Sequence, residues 1–229
     1  MADLRVMTGA SSPNYETKDK AWLAARALRD GSISIASFLA VMAIEGRCFE
    51  VSAGTGTAPA TGAGAYVNTT PDVDISVPAG TVVIPYAVDV KFETYGTDLL
   101  CEVVGVVGTG GVITPTSFDA ITPRNLRLDA PYTSGCTAGS TGTGATYMTG
   151  NVVEFMRDGH RFAITKSASS ATVAAFDQEL YQWRATESGV WPIMYHPSSI
   201  SRLNIFASSQ APTFFINVFY VELPGSFLS

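Results

Sequence analysis

The last third of the chain contains one long run of alternating apolar residues, Thr213–Leu223. Every second residue from Phe214 to Tyr220 is apolar, and the other set is also mostly apolar, interrupted by Asn217. A strand that is apolar on both faces is normally covered on both faces. The pattern therefore predicts either a central strand of a two-sheet β body or a strand with one face covered by another subunit.

The same alternation predicts further strands after residue 46, at Gly46–Val51, Val73–Val77, Val82–Tyr95, Leu99–Val107, Val190–Tyr195 and Arg202–Ala207. Leu99–Val107 is the other run that is apolar on both sides, so we expect it beside the closing strand. A hairpin is predicted over Gly96–Asp98. A second hairpin, over Arg157–Gly159, would join Tyr147–Phe155 to Arg161–Thr165, because Asp-Gly is a turn signal. Thr172–Trp183 fits a strand or a helix.

Two helical segments are predicted before the strands. Glu16–Arg29 is rich in helix formers and is ended by Asp30-Gly31, and Ser37–Ile44 is shorter and more apolar, although it could instead begin a strand. Met1–Pro13 reads as an extended arm that either lies on a neighbouring subunit or frays.

These helices are the best intramolecular cover for the outer face of a sheet. If they reach away from it, the second apolar face of the closing strand becomes a subunit interface. That face carries Phe215, Phe219 and Val221.

Two long neutral segments, Ser52–Pro71 and Ala130–Thr146, consist mostly of Gly, Ala, Thr and Ser. Such segments cannot offset their ordering entropy by apolar burial, so we predict exposed loops. The nine or ten predicted strands, with a turn about every 8–15 residues, are typical of an antiparallel sandwich or barrel. We therefore divide the chain into an arm with helices, residues 1–45, and a β body, residues 46–229.

Composition narrows the function classes. Of the 229 residues, 46% are hydrophobic and only 15% are charged, which indicates either assembly or a Gly/Thr/Ser-rich neutral surface. The net charge of −6 argues against direct nucleic-acid binding, which needs a basic stripe. The first residues lack a signal-peptide pattern, and the longest apolar run is too short to span a bilayer, so membrane contact is possible but not indicated.

Three cysteines, Cys48, Cys101 and Cys136, are widely separated and match no zinc spacing. At least one thiol is left unpaired, which favours a reducing site of synthesis. Cys136 lies in a glycine-rich stretch and is a plausible exposed thiol, but no base neighbours it in sequence.

No motif for catalysis or phosphate binding is present in the sequence. His160 and His196 fall in different predicted turns, and nothing in their spacing supports a hydrolase triad. We therefore expect a protein that is not an enzyme, and we assign no catalytic residue, cofactor or metal.

Other polar and aromatic residues have a structural and a functional interpretation. Asp72 and Asp74 would share one strand face and could bind Ca²⁺, although a solvated face is favoured. The turn formed by Arg157, Asp158 and Arg161 offers no paired acids. Aromatic residues of the last quarter could line a sugar-binding face, although core packing is the default: Trp183, Trp191, Tyr195 and Phe206.

The order of segments resembles that of single jelly-roll structural proteins of bacterial and archaeal viruses. The residues that carry this likeness are GRCFEV, a neutral loop, VDISVPAGTVVIPYAVDVKFE and the closing SRLNIFASSQAPTFFINVFYVELP. These residues resemble the capsid proteins of tailless icosahedral viruses, with a closing hairpin that ends in Glu-Leu-Pro. The resemblance implies a jelly roll of two four-stranded sheets whose loops meet neighbouring subunits.

We therefore expect an all-β antiparallel jelly-roll β-sandwich with short N-terminal helices. The expected function is that of a capsid subunit, made in the host cytoplasm and located in the virion. Its partners would be copies of itself and possibly other virion proteins. Phe214, Ile216, Val218 and Tyr220 should pack the core. The alternatives are a receptor- or carbohydrate-binding β-sandwich, such as a fibre head or decoration protein, and, less favoured, an enzyme on a β-barrel.

Overall fold

The computed structural model describes ten stretches of the chain: residues 5–7, 22–24, 37–62, 70–94, 100–111, 119–129, 132–140, 148–161, 180–207 and 213–228. They are mostly β-structure. The first strands are β1 (Arg5–Met7), β2 (Trp22–Ala24), β3 (Cys48–Ala53), β4 (Ala60–Thr61), β5 (Val73–Val77), β6 (Thr81–Thr94) and β7 (Leu100–Thr109). The others are β8 (Asp119–Ile121), β9 (Arg124–Asn125), β10 (Thr137–Ser140), β11 (Val152–Arg161), β12 (Leu180–Arg184), β13 (Ser201–Ala207) and β14 (Thr213–Pro224). The helices are α1 (Phe38–Ile44), α2 (Ala185–Ser188) and a 3₁₀ turn, Gly225–Phe227.

Twelve of these strands form an antiparallel β-sandwich, which confirms the all-β, two-sheet prediction. Sheet I has the order β12-β6-β14-β3-β9, with β4 paired to the end of β14. Sheet II has the order β11-β7-β13-β5-β10-β8. Each sheet therefore has six strands, whereas the resemblance implied four, because the short strands β4, β8, β9 and β10 add to the edges.

The eight longest strands pair in a nested order. Taken along the chain they are β3, β5, β6, β7, β11, β12, β13 and β14. The first pairs with the eighth and the third with the sixth in sheet I, and the second pairs with the seventh and the fourth with the fifth in sheet II. Consecutive long strands β5, β6 and β7 therefore alternate between the sheets.

The main core lies between the sheets and takes one face of each long strand. Phe214, Ile216, Val218 and Tyr220 of β14 are all buried in it, which confirms the predicted packing residues. The partner strands contribute the same kind of alternating residue, such as Val51 of β3 and Val88 of β6. The period-two pattern thus places one apolar set of every central strand in a common interior.

Three predicted pairings are wrong because the strands go to different sheets. β6 and β7 flank the predicted hairpin at Gly96–Asp98, but β6 lies in sheet I and β7 in sheet II. β13 and β14 likewise do not form a closing hairpin, and β7 is not a neighbour of β14. In the first two cases the chain crosses between layers, and in all three both strands turn an apolar face to the same core.

Residues Arg157–Gly159 do not form a turn. β11 continues through them, pairing Arg157 with Val104 and Gly159 with Glu102. The irregularity in this strand is not a turn but a bulge between Glu154 and Met156. A ten-residue ladder with β7 therefore overrides the local Asp-Gly turn preference.

Several boundaries also differ from the predictions. Val190–Tyr195 is not a strand. Helix α2 ends at Ser188 and is capped by Gly189, whose φ of 70° is left-handed, and of Val190–Tyr195 only Met194 forms a bridge, to Val83. The predicted loop Ala130–Thr146 contains β10, and the predicted loop Ser52–Pro71 contains β4. Of Thr172–Trp183, the described part belongs to strand β12.

The N-terminal predictions are half confirmed. Helix α1 forms as predicted, with the Ser37 hydroxyl accepting a hydrogen bond from the Ala40 N–H at 3.3 Å. The predicted helix Glu16–Arg29 is wrong at Trp22–Ala24, which is strand β2, paired with β1 so that Val6 lies opposite Leu23. Cross-strand pairing overrides helix propensity here, and the rest of that segment lies outside the described residues.

Candidate functional site

Helix α1 covers one end of the outer face of sheet I. Met42 packs there against Cys48, Val221 and Leu223, and all four are buried. We call this end of the sandwich the helix end. The second apolar face of the closing strand was predicted to be covered either by the N-terminal helices or by another subunit. At Val221 it is covered within the chain, by a predicted helix.

The rest of that outer face is of mixed character. Phe219 is half-buried and its ring lies 6.2 Å from that of Tyr86. Phe215 lies over Gly54, where an added Cβ would be 2.8 Å from the ring. Between them the Ser52 hydroxyl donates to Asn217 Oδ1 at 2.7 Å. The second apolar face of β14 is therefore satisfied largely within one subunit.

The outer face of sheet II holds a buried ion pair that the sequence analysis did not predict. Arg202 Nη1 of β13 lies 2.6 Å from Asp74 Oδ1 of β5, and Asp74 is 1% exposed. Asn204 Nδ2 donates to the same oxygen at 2.6 Å, and Ser76 donates to Oδ2 at 2.9 Å. A solvated face was the favoured interpretation of Asp72 and Asp74, and it is wrong for both, since their exposures are 2% and 1%.

Asp72 is also buried, at the other end of the same two strands. Its Oδ2 accepts a hydrogen bond from the Ala207 N–H at 2.6 Å, and its own N–H donates to the Ile205 carbonyl. The described residues contain no group of three or more His, Cys, Asp and Glu side chains placed to hold a metal. The carboxylates of Asp72 and Asp74 thus join strands β5 and β13.

Burial dominates the electrostatics of Asp74. It raises the pKa of the Asp74 carboxyl, against the lowering effects of the Arg202 charge and of the hydrogen bonds from Ser76 and Asn204. A signal for this network exists in the sequence: Asp74 and Ser76, like Arg202 and Asn204, occupy alternate positions in otherwise apolar strands. That pattern indicates a polar face but does not identify its partner.

Cys136 is buried rather than exposed, so the exposed-thiol prediction is wrong. Its sulfur lies 3.5 Å from Glu222 Oε2, which also accepts a hydrogen bond from the Ser134 hydroxyl at 2.6 Å. Burial and the negative charge of Glu222 raise the pKa of the Cys136 thiol. Burial also raises the pKa of Cys48, to about 11. Both thiols are therefore protonated and weakly nucleophilic.

The histidines do not form a catalytic group in the described residues. His196 lies in a turn, where its Nδ1 accepts a hydrogen bond from the Ser198 N–H at 3.2 Å. His160 falls within β11 rather than in a turn, and its side chain lies outside the described residues. Among the described residues, the hydrogen bond given for His196 is to a backbone N–H and not to a carboxylate, which a hydrolase triad would require.

The predicted aromatic face is dispersed. Trp183 is buried in the core, with its ring 4.8 Å from that of Phe155, and Phe206 is buried on the outer face of sheet II. Tyr195 is half-buried against the α1 cluster, and only Trp191 of the four is exposed. The set offers no shared groove for a sugar ring.

The charges around Arg157 form a small surface network. Arg157 Nη2 lies 2.8 Å from Glu154 Oε2, and Nη1 lies 3.6 Å from Glu102 Oε2. Such exposed pairs contribute little to stability. Arg161 ends the same strand, β11.

The sequence matches no protein-family model, and no significant similarity links it to a curated protein or to a solved structure. Among the described residues, no helix is long and apolar enough to cross a membrane. The function must therefore be argued from the fold and its surfaces.

Proposed function

We propose that this protein is a virion structural protein, a capsid subunit that self-assembles into an icosahedral shell, built on a jelly roll. The observation that carries the proposal is the nested pairing of eight strands, first with eighth, second with seventh, third with sixth and fourth with fifth. A jelly roll wraps two Greek keys into two sheets in this order, and viral capsid domains are a major use of that fold.

The surface supports assembly. Only 15% of residues are charged, and large apolar side chains remain exposed at the helix end, including Ile44, Leu128, Trp191 and Ile193. Many contacts of roughly 1,000–2,000 Å² each make a shell stable even when each contact is modest. The mechanism is thus subunit association, with no catalytic step, in a virion assembled from protein made in the host cytoplasm.

The rival proposal is a receptor- or carbohydrate-binding β-sandwich, since lectin domains also use jelly rolls. It requires exposed aromatic residues gathered in one groove. Only Trp191 among the candidates is exposed, and Trp183 is buried, so this rival is less favoured.

The test is the assembly state of the purified full chain. Mass photometry across protein concentration and salt, followed by electron microscopy, should detect large particles of many copies. A clean monomer under all conditions contradicts the capsid proposal. In that case a glycan array comparing the wild type with Trp191→Ala tests the binding module.

A further inference from the structure

An open groove lies at one lateral edge of the sandwich, near the helix end. It has a volume of about 190 Å³ and lies between β7, β11 and β13 of sheet II and the segment around Met194, which bridges to β6 of sheet I. Val107 and Met194 are buried in it, while Val153 is 50% exposed and Ile193 is 54% exposed. The groove thus leaves part of the apolar space between the sheets open to solvent.

The groove also contains a polar group without a partner. Ser201 lines it, and the Ser201 hydroxyl is buried with no hydrogen-bond partner among the described residues. An enclosed apolar cavity of about 150 Å³ accepts a benzene-sized group. The groove therefore has room for one branched aliphatic side chain, with space left for a water on Ser201.

The opposite lateral edge carries a projecting leucine. Leu128 is 100% exposed, and Ile44 beside it is 70% exposed. The turn is tied to the end of α1, because Arg127 donates from Nη1 to the Ile44 carbonyl at 2.8 Å and also pairs with Asp129 at 2.7 Å. The Asn125 side chain adds a hydrogen bond to the Gly46 carbonyl at 2.7 Å. These polar contacts fix the backbone on both sides of Leu128, so the leucine has a defined position on the surface.

The strand order places these two features on opposite sides of the molecule. The leucine turn follows β9, the last strand on one edge of sheet I, and the groove is bounded by β11, the last strand on the opposite edge of sheet II. Both lie toward the helix end, since the Leu126 N–H donates to the Cys48 carbonyl and the groove includes Ser201, which starts β13. Two copies side by side would therefore bring the two features to the same level.

We propose that Leu128 of one copy enters the groove lined by Val107, Val153, Ile193 and Met194 of a second copy. The contact is head-to-tail, so each subunit offers the leucine on one side and the groove on the other, and repetition gives a ring or a continuous layer. This inference rests on the proposed self-assembly and names the surface that performs it.

The test uses two single variants of the full chain, Leu128→Arg and Ile193→Arg, measured by mass photometry and sedimentation velocity. Each should raise the concentration for half-assembly at least about tenfold, because a charge replaces the buried apolar contact. Leu180→Arg is the matched control. It changes an exposed leucine at the start of β12, away from the helix end, and should assemble like the wild type. Equal thermal midpoints for all four proteins establish that the effect lies in association.

Mixing the two impaired variants gives the decisive measurement. The Leu128→Arg subunit retains an intact groove and the Ile193→Arg subunit retains an intact leucine, so the mixture should form a one-to-one dimer that neither variant forms alone. Absence of that dimer, or assembly of either variant like the wild type, overturns the inference. A loss confined to Ile193→Arg also overturns it, since the groove would then hold another occupant. A wild type that stays monomeric contradicts the proposed function itself.

Discussion

The outer faces of the two sheets are both buried in part, but by different chemistry. On sheet I, helix α1 places Met42 on Val221 and Leu223, an entirely apolar contact. On sheet II, Phe206 and its apolar neighbours lie beside the buried Asp74–Arg202 pair. Apolar contact is non-directional, whereas the ion pair requires one alignment of its strands.

The alignment it requires is the observed register of β5 and β13. Asp74 lies opposite Asn204, and Arg202 lies opposite Ser76. A slip of one residue would turn Asp74 toward the core, where no partner is available to it. We therefore interpret the sheet II network as a device that specifies register, and the α1 contact as one that supplies stability.

The largest effect is expected from Arg202→Met. It leaves the Asp74 carboxylate buried beside an apolar side chain, so the free energy of unfolding should fall by about 3–5 kcal/mol. Urea denaturation measures it. The control is Arg184→Met on sheet I, whose guanidinium lies 2.7 Å from Asp89 at a partly exposed site and should cost about 1 kcal/mol or less.

The double variant Asp74→Asn with Arg202→Met sharpens this result. Removing both charges leaves no unpaired ion, so most of the lost stability should return. Equal losses for Arg202→Met and Arg184→Met would show that the sheet II network has no special role.

The next largest effect concerns the apolar cover of sheet I. Met42→Ala removes the buried side chain that joins α1 to β14, and we expect a loss of about 2–3 kcal/mol in the free energy of unfolding. Ile44→Ala, in the same helix but mostly exposed, should change it by about 0.5 kcal/mol or less. Similar losses at the two positions would contradict the placement of α1.

A smaller effect is expected at the start of α1. Ser37→Ala removes the side-chain acceptor for the Ala40 N–H and should cost about 1 kcal/mol, whereas Ser37→Asp keeps an acceptor and should retain stability. Chemical denaturation of the two variants compares them directly. If both behave alike, the cap does not stabilise the helix.

The last prediction tests the burial of two thiols, after the third cysteine has been replaced. In a Cys101→Ser background, native protein near neutral pH should not react with a disulfide reagent, because Cys48 and Cys136 are buried and their thiol pKa values are raised. Both thiols should react once the protein is denatured. Rapid labelling of Cys136 in the native state would contradict its contact with Glu222.

Much of the local structure could be predicted from the residues. The positions of β14, β6, β7 and α1 follow from periodicity, because a period of two or of 3.6 reports which side chains share a face. The core residues of β14 were identified for the same reason.

The candidate site was harder to predict because its parts are far apart in sequence. Asp74 and Arg202 are separated by 128 residues, and no local pattern links them. Asp72 and Asp74 were predicted to be solvated, because charged residues are mostly exposed unless they have partners. Their partners lie on a different strand, β13. Leu128 and Ile193 likewise become related only through the positions of β9 and β11.

The amino-acid pattern by itself determined the fold class, most of the long strands and the faces that the central strands bury, since these depend on neighbours in the chain. Tertiary structure alone decided which sheet each strand joins. In it, β6 and β7 belong to different sheets, and β11 continues through an Asp-Gly step that favours a turn. The physical reason is that strand pairing and ion pairing are contacts between distant residues, whose gain in free energy exceeds the preferences of any single turn.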